Sequence, residues 1–376
     1  MIEECNKFGA NMINDYNAYE ELGQQFNINL SEIIQIDLNR SGVYLEEGEV
    51  KEDFRVRFKG KILDDYETWY ALPVRNEQDT PFKICKNEIF FKDKIIGTTG
   101  MLMLDTCETS YQRGPHLLNL NSRSRSNCGG CRACIHSYRK LYDETVIKDQ
   151  ESLDTKEDIK NFFENQKIDV SNLVQIAVVT GLFKSEENVV NHMKSIYEVV
   201  KEYGFNGELM YFGCEVNSED ALIELSKLGK FSLIYALDNF SKRELLLSKT
   251  KSLITVNDAR NTLELAKKHN IKTTISYISG LDTIENMVNG FKFLKESFNH
   301  FPIVNVYQTQ TIGQANVMEA EAKKLSYYLE SRIQLEKIFK DVKYRPKRWE
   351  NYRPLWYKYF ANEELPFNSF GQLEKV

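Results

Sequence analysis

Three cysteines fall within seven residues, Cys128-Gly-Gly-Cys131-Arg-Ala-Cys134. Thiolates ligate iron–sulfur clusters and structural zinc, and the two glycines let the backbone turn tightly with its N–H groups aimed at an anion. A [4Fe–4S] cluster held by three thiolates leaves one iron open to a small molecule, which suits catalysis better than electron transfer. Zinc would need a fourth ligand, for which His136 is the nearest candidate. A bacterial ferredoxin run would continue to a further Cys-Pro, where this chain reads Ile135-His-Ser-Tyr. Arg123, Arg125 and Arg132 surround the cysteines and could offset cluster charge or meet an anionic substrate group.

The elements around this loop must put it where chemistry can happen. Short β-rich runs at His116–Asn121, Leu173–Val179, Glu208–Phe212, Phe231–Ala236, Ser252–Val256, Lys272–Ile278 and Ile303–Tyr307 alternate with helical patterns. Val189, Val190, Met193, Ile196 and Val200 share one helical face, as do Ala221, Leu222, Leu225 and Leu228, and Met287, Val288, Phe291, Leu294 and Phe298. Repeated βα units predict a parallel sheet, here an α/β fold with a full or partial (β/α) TIM-type barrel over residues 113–345. The cysteines then lie on the loop leaving the C-terminal end of the first strand, the end at which such barrels react. A further helix is predicted at Asp154–Gln166, opened by the capping pattern Asp154-Thr-Lys-Glu157. Residues 1–112 read as a smaller α+β module, with a helix near Asn14–Gln25 and strands at Ile33–Leu38, Phe54–Phe58 and Glu88–Phe91. Residues 346–376 read as a basic, aromatic tail expected to pack across the outside of the barrel.

The 376 residues are 42% hydrophobic and 28% charged with a formal net charge of −6, a balance that argues against a general nucleic-acid or anionic-membrane binder. There is no long apolar run, and Met1-Ile-Glu-Glu-Cys lacks the pattern of a signal peptide, so the cytoplasm is the expected location and no membrane partner is expected. Seven cysteines, three clustered and four scattered, fit metal ligation better than a disulfide framework.

With its cysteine loop after the first strand, the chain resembles the radical S-adenosylmethionine enzymes, particularly their biotin synthase-like branch, over residues 115–345. Thr180-Gly181 ends the second strand where that family carries its Gly-rich contact to the methionine amino group. Ser276-Tyr-Ile278-Ser-Gly280 is similar to the family's adenine-contacting stretch. Glu215 and Asn217 after the third strand, and Asp238 and Asn239 after the fourth, stand where the family has polar contacts to the ribose and methionine parts. The resemblance implies that Cys128, Cys131 and Cys134 hold a [4Fe–4S] cluster and that S-adenosylmethionine is cleaved reductively to a 5′-deoxyadenosyl radical. It also implies an oxygen-sensitive enzyme, reduced by a flavodoxin or ferredoxin. Two departures stand out: the first two cysteines are separated by two residues where the family has three, and Ala133 replaces an aromatic residue, which leaves Tyr138 or Ile278 for the adenine.

Several residues could act on substrate. Cys214 ends the third strand and reads as a hydrogen-atom donor, a sulfur carrier, a second-cluster ligand or a small buried residue. Tyr277, Tyr307 and Gln308 are strand-end candidates for substrate contact, with core packing or a solvated loop as their other readings. Cys5, Cys85 and Cys107 are too widely spaced to support an auxiliary cluster. The expected function is hydrogen abstraction from a small biosynthetic molecule. The rivals are modification of a peptide recognised by the N-terminal module, and a non-catalytic Fe–S or zinc scaffold.

Overall fold

The computed structural model describes residues 6–47, 54–105, 110–114, 116–122, 130–138, 153–179, 181–340, 345–347, 353–356 and 358–365. Cys128 and Thr180, like Cys5, Cys107, Arg123 and Arg125, lie outside the described residues.

Two helices, Asn17–Phe26 and Leu30–Ser41, precede a closed ring of strands. The ring comprises β1 (Val43–Leu45), β2 (Arg55–Ile62), β3 (Thr68–Arg75), β4 (Phe82–Cys85), β5 (Glu88–Phe91) and β6 (Lys94–Thr99), in the order β3-β1-β4-β5-β6-β2. Pairing of β2 with β3 closes it, and β7 (Met103–Leu104) adds to the other edge of β2. Phe58 and Tyr70 stack at 5.3 Å in its core, and Phe82 meets Phe91 edge-on.

The second sheet opens with β8 (Ser110–Gly114), which runs antiparallel to β9 (Leu117–Leu120). From β9 the strands β10 (Gln175–Val178), β11 (Glu208–Gly213), β12 (Phe231–Asp238), β13 (Lys272–Ser279) and β14 (Ile303–Val306) follow in sequence order, all parallel. The helices Lys156–Gln166, Glu186–Glu202, Glu219–Ser226, Val256–Lys268 and Ile284–Leu294 form the crossovers. Strands β8 and β14 do not pair, so the barrel is partial. Outward residues such as Ile176, Leu209, Leu233 and Ile275 bury completely against these helices, while Ala177, Met210, Ile234 and Ile303 form a smaller inner cluster.

Four expectations change. Ile33–Leu38 is helix, not strand: its alternating isoleucines mimic period 2, yet every residue from Ser31 to Ser41 is buried. The helix is wedged between ring and half-barrel, so its polar residues find partners on all sides instead of facing water. Glu32 pairs with Arg332 at 2.9 Å, Gln35 donates to Asp65 at 2.7 Å, and Arg40 binds Asp37 and the Asn11 carbonyl. Ser252–Val256 is not a strand either. It joins a short helical turn, Lys249–Ser252, to Thr255, which caps Val256–Lys268 in a reciprocal box with Asp258. The helix expected at Asp154 is likewise capped one residue later, by Thr155 with Asp158. Finally, the tail adds to the sheet edge instead of crossing the barrel's outside. Asn305 bridges Pro354, and the Val306 N–H donates to the Arg353 carbonyl at 2.7 Å. Trp356 is buried edge-on against Phe301 at 4.9 Å, because β14 leaves an open edge that needs both apolar cover and hydrogen-bond partners.

Candidate active site

The C-terminal ends of the parallel strands open on a cavity of about 300 Å³. Cys131 and Cys134 line it together with Gly181, Cys214, Glu215 and Asp238. Ile278, Tyr307 and Gln308 complete the group of sequence-singled residues that share it.

The cysteine loop is braced from within and from two neighbouring segments. Cys134 N–H donates to the Cys131 carbonyl at 2.9 Å, as does the Ser137 hydroxyl at 2.7 Å. Tyr138 is spent on scaffolding: its hydroxyl donates to the Arg132 carbonyl at 2.8 Å and its ring packs on Gly313, where any Cβ would lie 2.2 Å from it. Gln314 donates to the Ala133 carbonyl at 3.2 Å. On the other side the Ala133 N–H reaches the Leu246 carbonyl at 3.4 Å, and the Ser248 N–H donates to Cys131 Sγ at 3.2 Å. A backbone N–H on a cysteine sulfur is the kind of contact that stabilises a cluster-bound thiolate, so the described cysteines fit an iron–sulfur site.

After β11, both oxygens of Glu215 are held: Tyr211 O–H and Cys214 N–H each donate at 2.7 Å to one, and Phe183 N–H donates at 2.9 Å to the other. This fixes the carboxylate at the cavity wall. Burial pushes the Cys214 thiol up to about 12, so it is a neutral thiol at physiological pH and a poor metal ligand without help. Asn217 turns away from the cavity, accepting from Tyr235 at 2.7 Å and Thr262 at 3.1 Å, and thereby ties β12 to the helix behind it.

Asp238 sits at a bulge in the β12–β13 ladder with φ of 69°, which swings its carboxylate inward to pair with Lys251 and to accept from Ser276 at 3.3 Å. Burial by itself would lower the Lys251 pKa. The Asp238 carboxylate overrides this through its charge and its hydrogen bond, and the ammonium stays protonated. Asn239 is fully buried and bonds the Ser241 carbonyl, outside the cavity lining. Behind this turn Arg243 binds four carbonyls: Leu237 and Asn239 at 2.7 Å, Ile254 at 3.1 Å and Lys251 at 3.2 Å. Asp282 accepts from the N–H groups of Phe240 and Ser241, both at 2.8 Å.

Strand alternation divides the β13 candidates. Ile278 points into the cavity, whereas Tyr277 points outward, stacked on Phe240 at 5.1 Å and edge-on to Phe291 at 5.1 Å. Gly280 lines no part of the cavity. Its φ of 121° and the approach of Tyr307 Cβ to 2.7 Å from where a Cβ would stand make it a packing position. Tyr307 is buried at the mouth and donates to the Gln314 carbonyl at 3.3 Å.

Arg55, Ser248, Lys251, Gln314 and Arg353 also line the cavity, and none was singled out by sequence reasoning. Lys251 and Ser248 were hidden by reading Ser252–Val256 as a strand. The signal that places them on a mouth loop is the cap Thr255-Val-Asn-Asp258. Arg55 and Arg353 carry no local signal, because ring and tail meet the barrel only in three dimensions. Among the described residues no helix is long and apolar enough to cross a membrane.

No protein-family model and no curated protein matches the chain. Among solved structures it is similar to Streptococcus suis SuiB bound to S-adenosylmethionine, at 11% identity over 62% of this chain and 49% of that one, with a TM-score of 0.40. It is similar to the FeFe-hydrogenase maturase HydG from Carboxydothermus hydrogenoformans, at 15% identity over 62% of this chain and 54% of that one, with a TM-score of 0.39. SuiB bound to the precursor peptide SuiA aligns at 11% identity over 54% of this chain and 42% of that one, with a TM-score of 0.35. The chain thus spans about half the length of these neighbours.

Proposed function

We propose that this chain is a radical S-adenosylmethionine enzyme acting on a small molecule. The observation that carries the reading is the position of Cys131 and Cys134: they line the C-terminal mouth of a parallel partial barrel, with Cys131 Sγ accepting a backbone N–H, beside Gly181, Glu215, Asp238 and Ile278. In this reading Cys128, Cys131 and Cys134 hold a [4Fe–4S] cluster. Cluster and S-adenosylmethionine together supply a one-electron reductive cleavage that produces a hydrogen-atom abstractor.

The protein's own part is placement and exclusion. Ser248 N–H steadies the Cys131 sulfur. Gly181 leaves room for the amino-acid end of S-adenosylmethionine, and Ile278 offers an apolar face to its adenine. Glu215 and Asp238, each held by neighbouring donors, present oxygens to hydroxyl or ammonium groups without having to reorganise. Tyr307 and Ile278 limit water at the reacting end. Walls supplied by Arg55 and Arg353 favour a small molecule over an extended peptide, since ring and tail both help bound the cavity. A flavodoxin or ferredoxin reductant, a cytoplasmic setting and kinship to the biotin synthase-like branch belong to the same reading.

The test is anaerobic reconstitution with iron and sulfide, then dithionite and S-adenosylmethionine. About four irons per chain with release of 5′-deoxyadenosine is expected, and Cys131→Ala and Cys134→Ala should lose both. Stoichiometric zinc with no cleavage, or cleavage surviving either substitution, would refute the assignment.

A further inference from the structure

The peptide unit joining Ala133 to Cys134 is held at both of its polar ends. Its carbonyl, on Ala133, accepts from Gln314 Nε2 at 3.2 Å. Its N–H, on Cys134, donates to the Cys131 carbonyl at 2.9 Å. A peptide unit is planar, so fixing both ends removes its freedom to rotate and sets the direction in which the Cys134 side chain leaves the backbone. The loop has little stiffness of its own here, since two glycines precede Cys131 and only Arg132 and Ala133 separate it from Cys134.

Gln314 is itself held in one sense. It is 2% exposed, and its Oε1 accepts from the Gln310 N–H at 2.9 Å while Nε2 meets the Ala133 carbonyl. A carbonyl only accepts and an N–H only donates, so exchanging the amide's nitrogen and oxygen would break both bonds. The turn that carries it, Ile312–Ala315, is capped by Thr311, whose Oγ1 accepts from the Gln314 N–H at 3.2 Å. Tyr307, just past β14, donates from its hydroxyl to the Gln314 carbonyl at 3.3 Å, and its own N–H donates to the Ser279 carbonyl of β13 at 2.8 Å. Gly313 makes a second contact between the same two segments, against the Tyr138 ring. A line of bonds thus runs from the last two strands through Tyr307 and Gln314 to the peptide between Ala133 and Cys134.

We propose that Gln314 is a positioning residue: it carries the fixed end of the sheet to the cysteine loop and keeps Cys134 oriented beside Cys131 for joint ligation of a cluster. The inference rests on those cysteines being the ligands proposed above and deepens that reading by naming what orients them. Groups that orient metal ligands without touching the metal set the affinity of the site, because a loosened ligand must be ordered again when it binds.

The test begins with the full-length protein free of metal. Each cysteine is labelled with maleimide and its rate followed by mass spectrometry, with Cys85 of β4 and the buried Cys214 as internal references. Gln314→Met, close in length but able neither to donate to Ala133 nor to accept from Gln310, should speed labelling of Cys131 and Cys134 about tenfold, the factor that one net hydrogen bond is worth. Cys85 and Cys214 should change less than about twofold. In the reconstituted protein, iron release to a chelator should quicken about tenfold. Rates at Cys131 and Cys134 within about twofold of wild type, or all four cysteines rising together as in general loosening, overturn the proposal. So does unchanged iron release from a variant that does form the cluster. If Gln314→Met does not fold, Gly313→Ala carries the same test, since its Cβ would lie 2.2 Å from the Tyr138 ring and must push the turn away from the loop. Labelling needs neither cluster nor S-adenosylmethionine. A wild type that takes up no cluster would therefore strike the proposed function, whereas unaltered labelling in a variant of a cluster-forming protein would strike only the role of Gln314.

Discussion

Replacing Arg243 by Met should both loosen the protein and release the cysteine loop. The guanidinium binds carbonyls of residues 237, 239, 251 and 254, so it gathers the end of β12, the Lys249–Ser252 turn and the start of the next helix. The two bonds at 2.7 Å are charge-assisted and count for about 1.5 kcal/mol each, and the two at 3.1 and 3.2 Å for about 0.5 each. Two effects reduce that total of about 4 kcal/mol. Burial lowers the Arg243 pKa, so removing the charge recovers some desolvation. The residue is also only partly buried, and water can reach some of the freed carbonyls. A net loss of about 2–3 kcal/mol follows. Unfolding entropy of about 2.1 cal/mol/K per residue, over 376 residues, converts this to a fall in Tm of about 3–4 °C. The readout at the site is iron retention after reconstitution, since Ser248, which donates to Cys131 Sγ, rides on the same turn. Arg243→Lys, which keeps charge but not the fork, should fall between. A melt within about 1 °C of wild type, or undiminished iron in a variant that does lose stability, would refute the argument that this clamp positions the cysteine loop.

Other perturbations follow from the same geometry. Gly280→Ala puts a Cβ 2.7 Å from Tyr307 Cβ and 2.9 Å from the Tyr328 hydroxyl at a φ of 121°, and should cost about 2–4 kcal/mol, read as a Tm lower by about 3–5 °C. Cys214, buried and with its thiol pushed up to about 12, should be the last of the described cysteines to react with maleimide at neutral pH, as scored by mass spectrometry; early labelling would contradict it. The Thr255 side chain and backbone hold the Asp258 carboxyl below its ordinary value. A depressed pKa means that this cap contributes fully above the unfolded value and is lost as pH falls through the folded one, so Asp258→Asn should flatten the acid limb of the stability–pH curve below about pH 4.

What was legible depended on how local the signal was. Six of the seven β-rich runs are strands, because Val, Ile and Leu runs bounded by turns and helical stripes report burial directly. Reading failed where tertiary partners removed the usual contrast between faces. In Leu30–Ser41 the polar residues Glu32, Gln35 and Asp37 are as buried as the isoleucines, so no polar stripe marks a helix. At Ser252–Val256 a β-branched run outweighed the cap that follows it. Tyr277 and Tyr307, equally plausible as mouth residues in the sequence, part company through pleat parity and strand length alone.

The sequence by itself determined that three clustered thiols follow the first of a series of βα units, and that parallel packing would bring the loops after those strands to one end. Spacing and periodicity are local quantities, so the chain carries them openly. Only the tertiary structure decided that the barrel stays partial, with β14 edged by the tail and by a helix from the N-terminal region. It also decided that Arg55, Gln308 and Arg353, nearly 300 positions apart at the extremes, line one cavity. Those contacts arise from the open edge of a half-barrel being satisfied by distant segments, and no periodicity within any one segment encodes which partner will arrive.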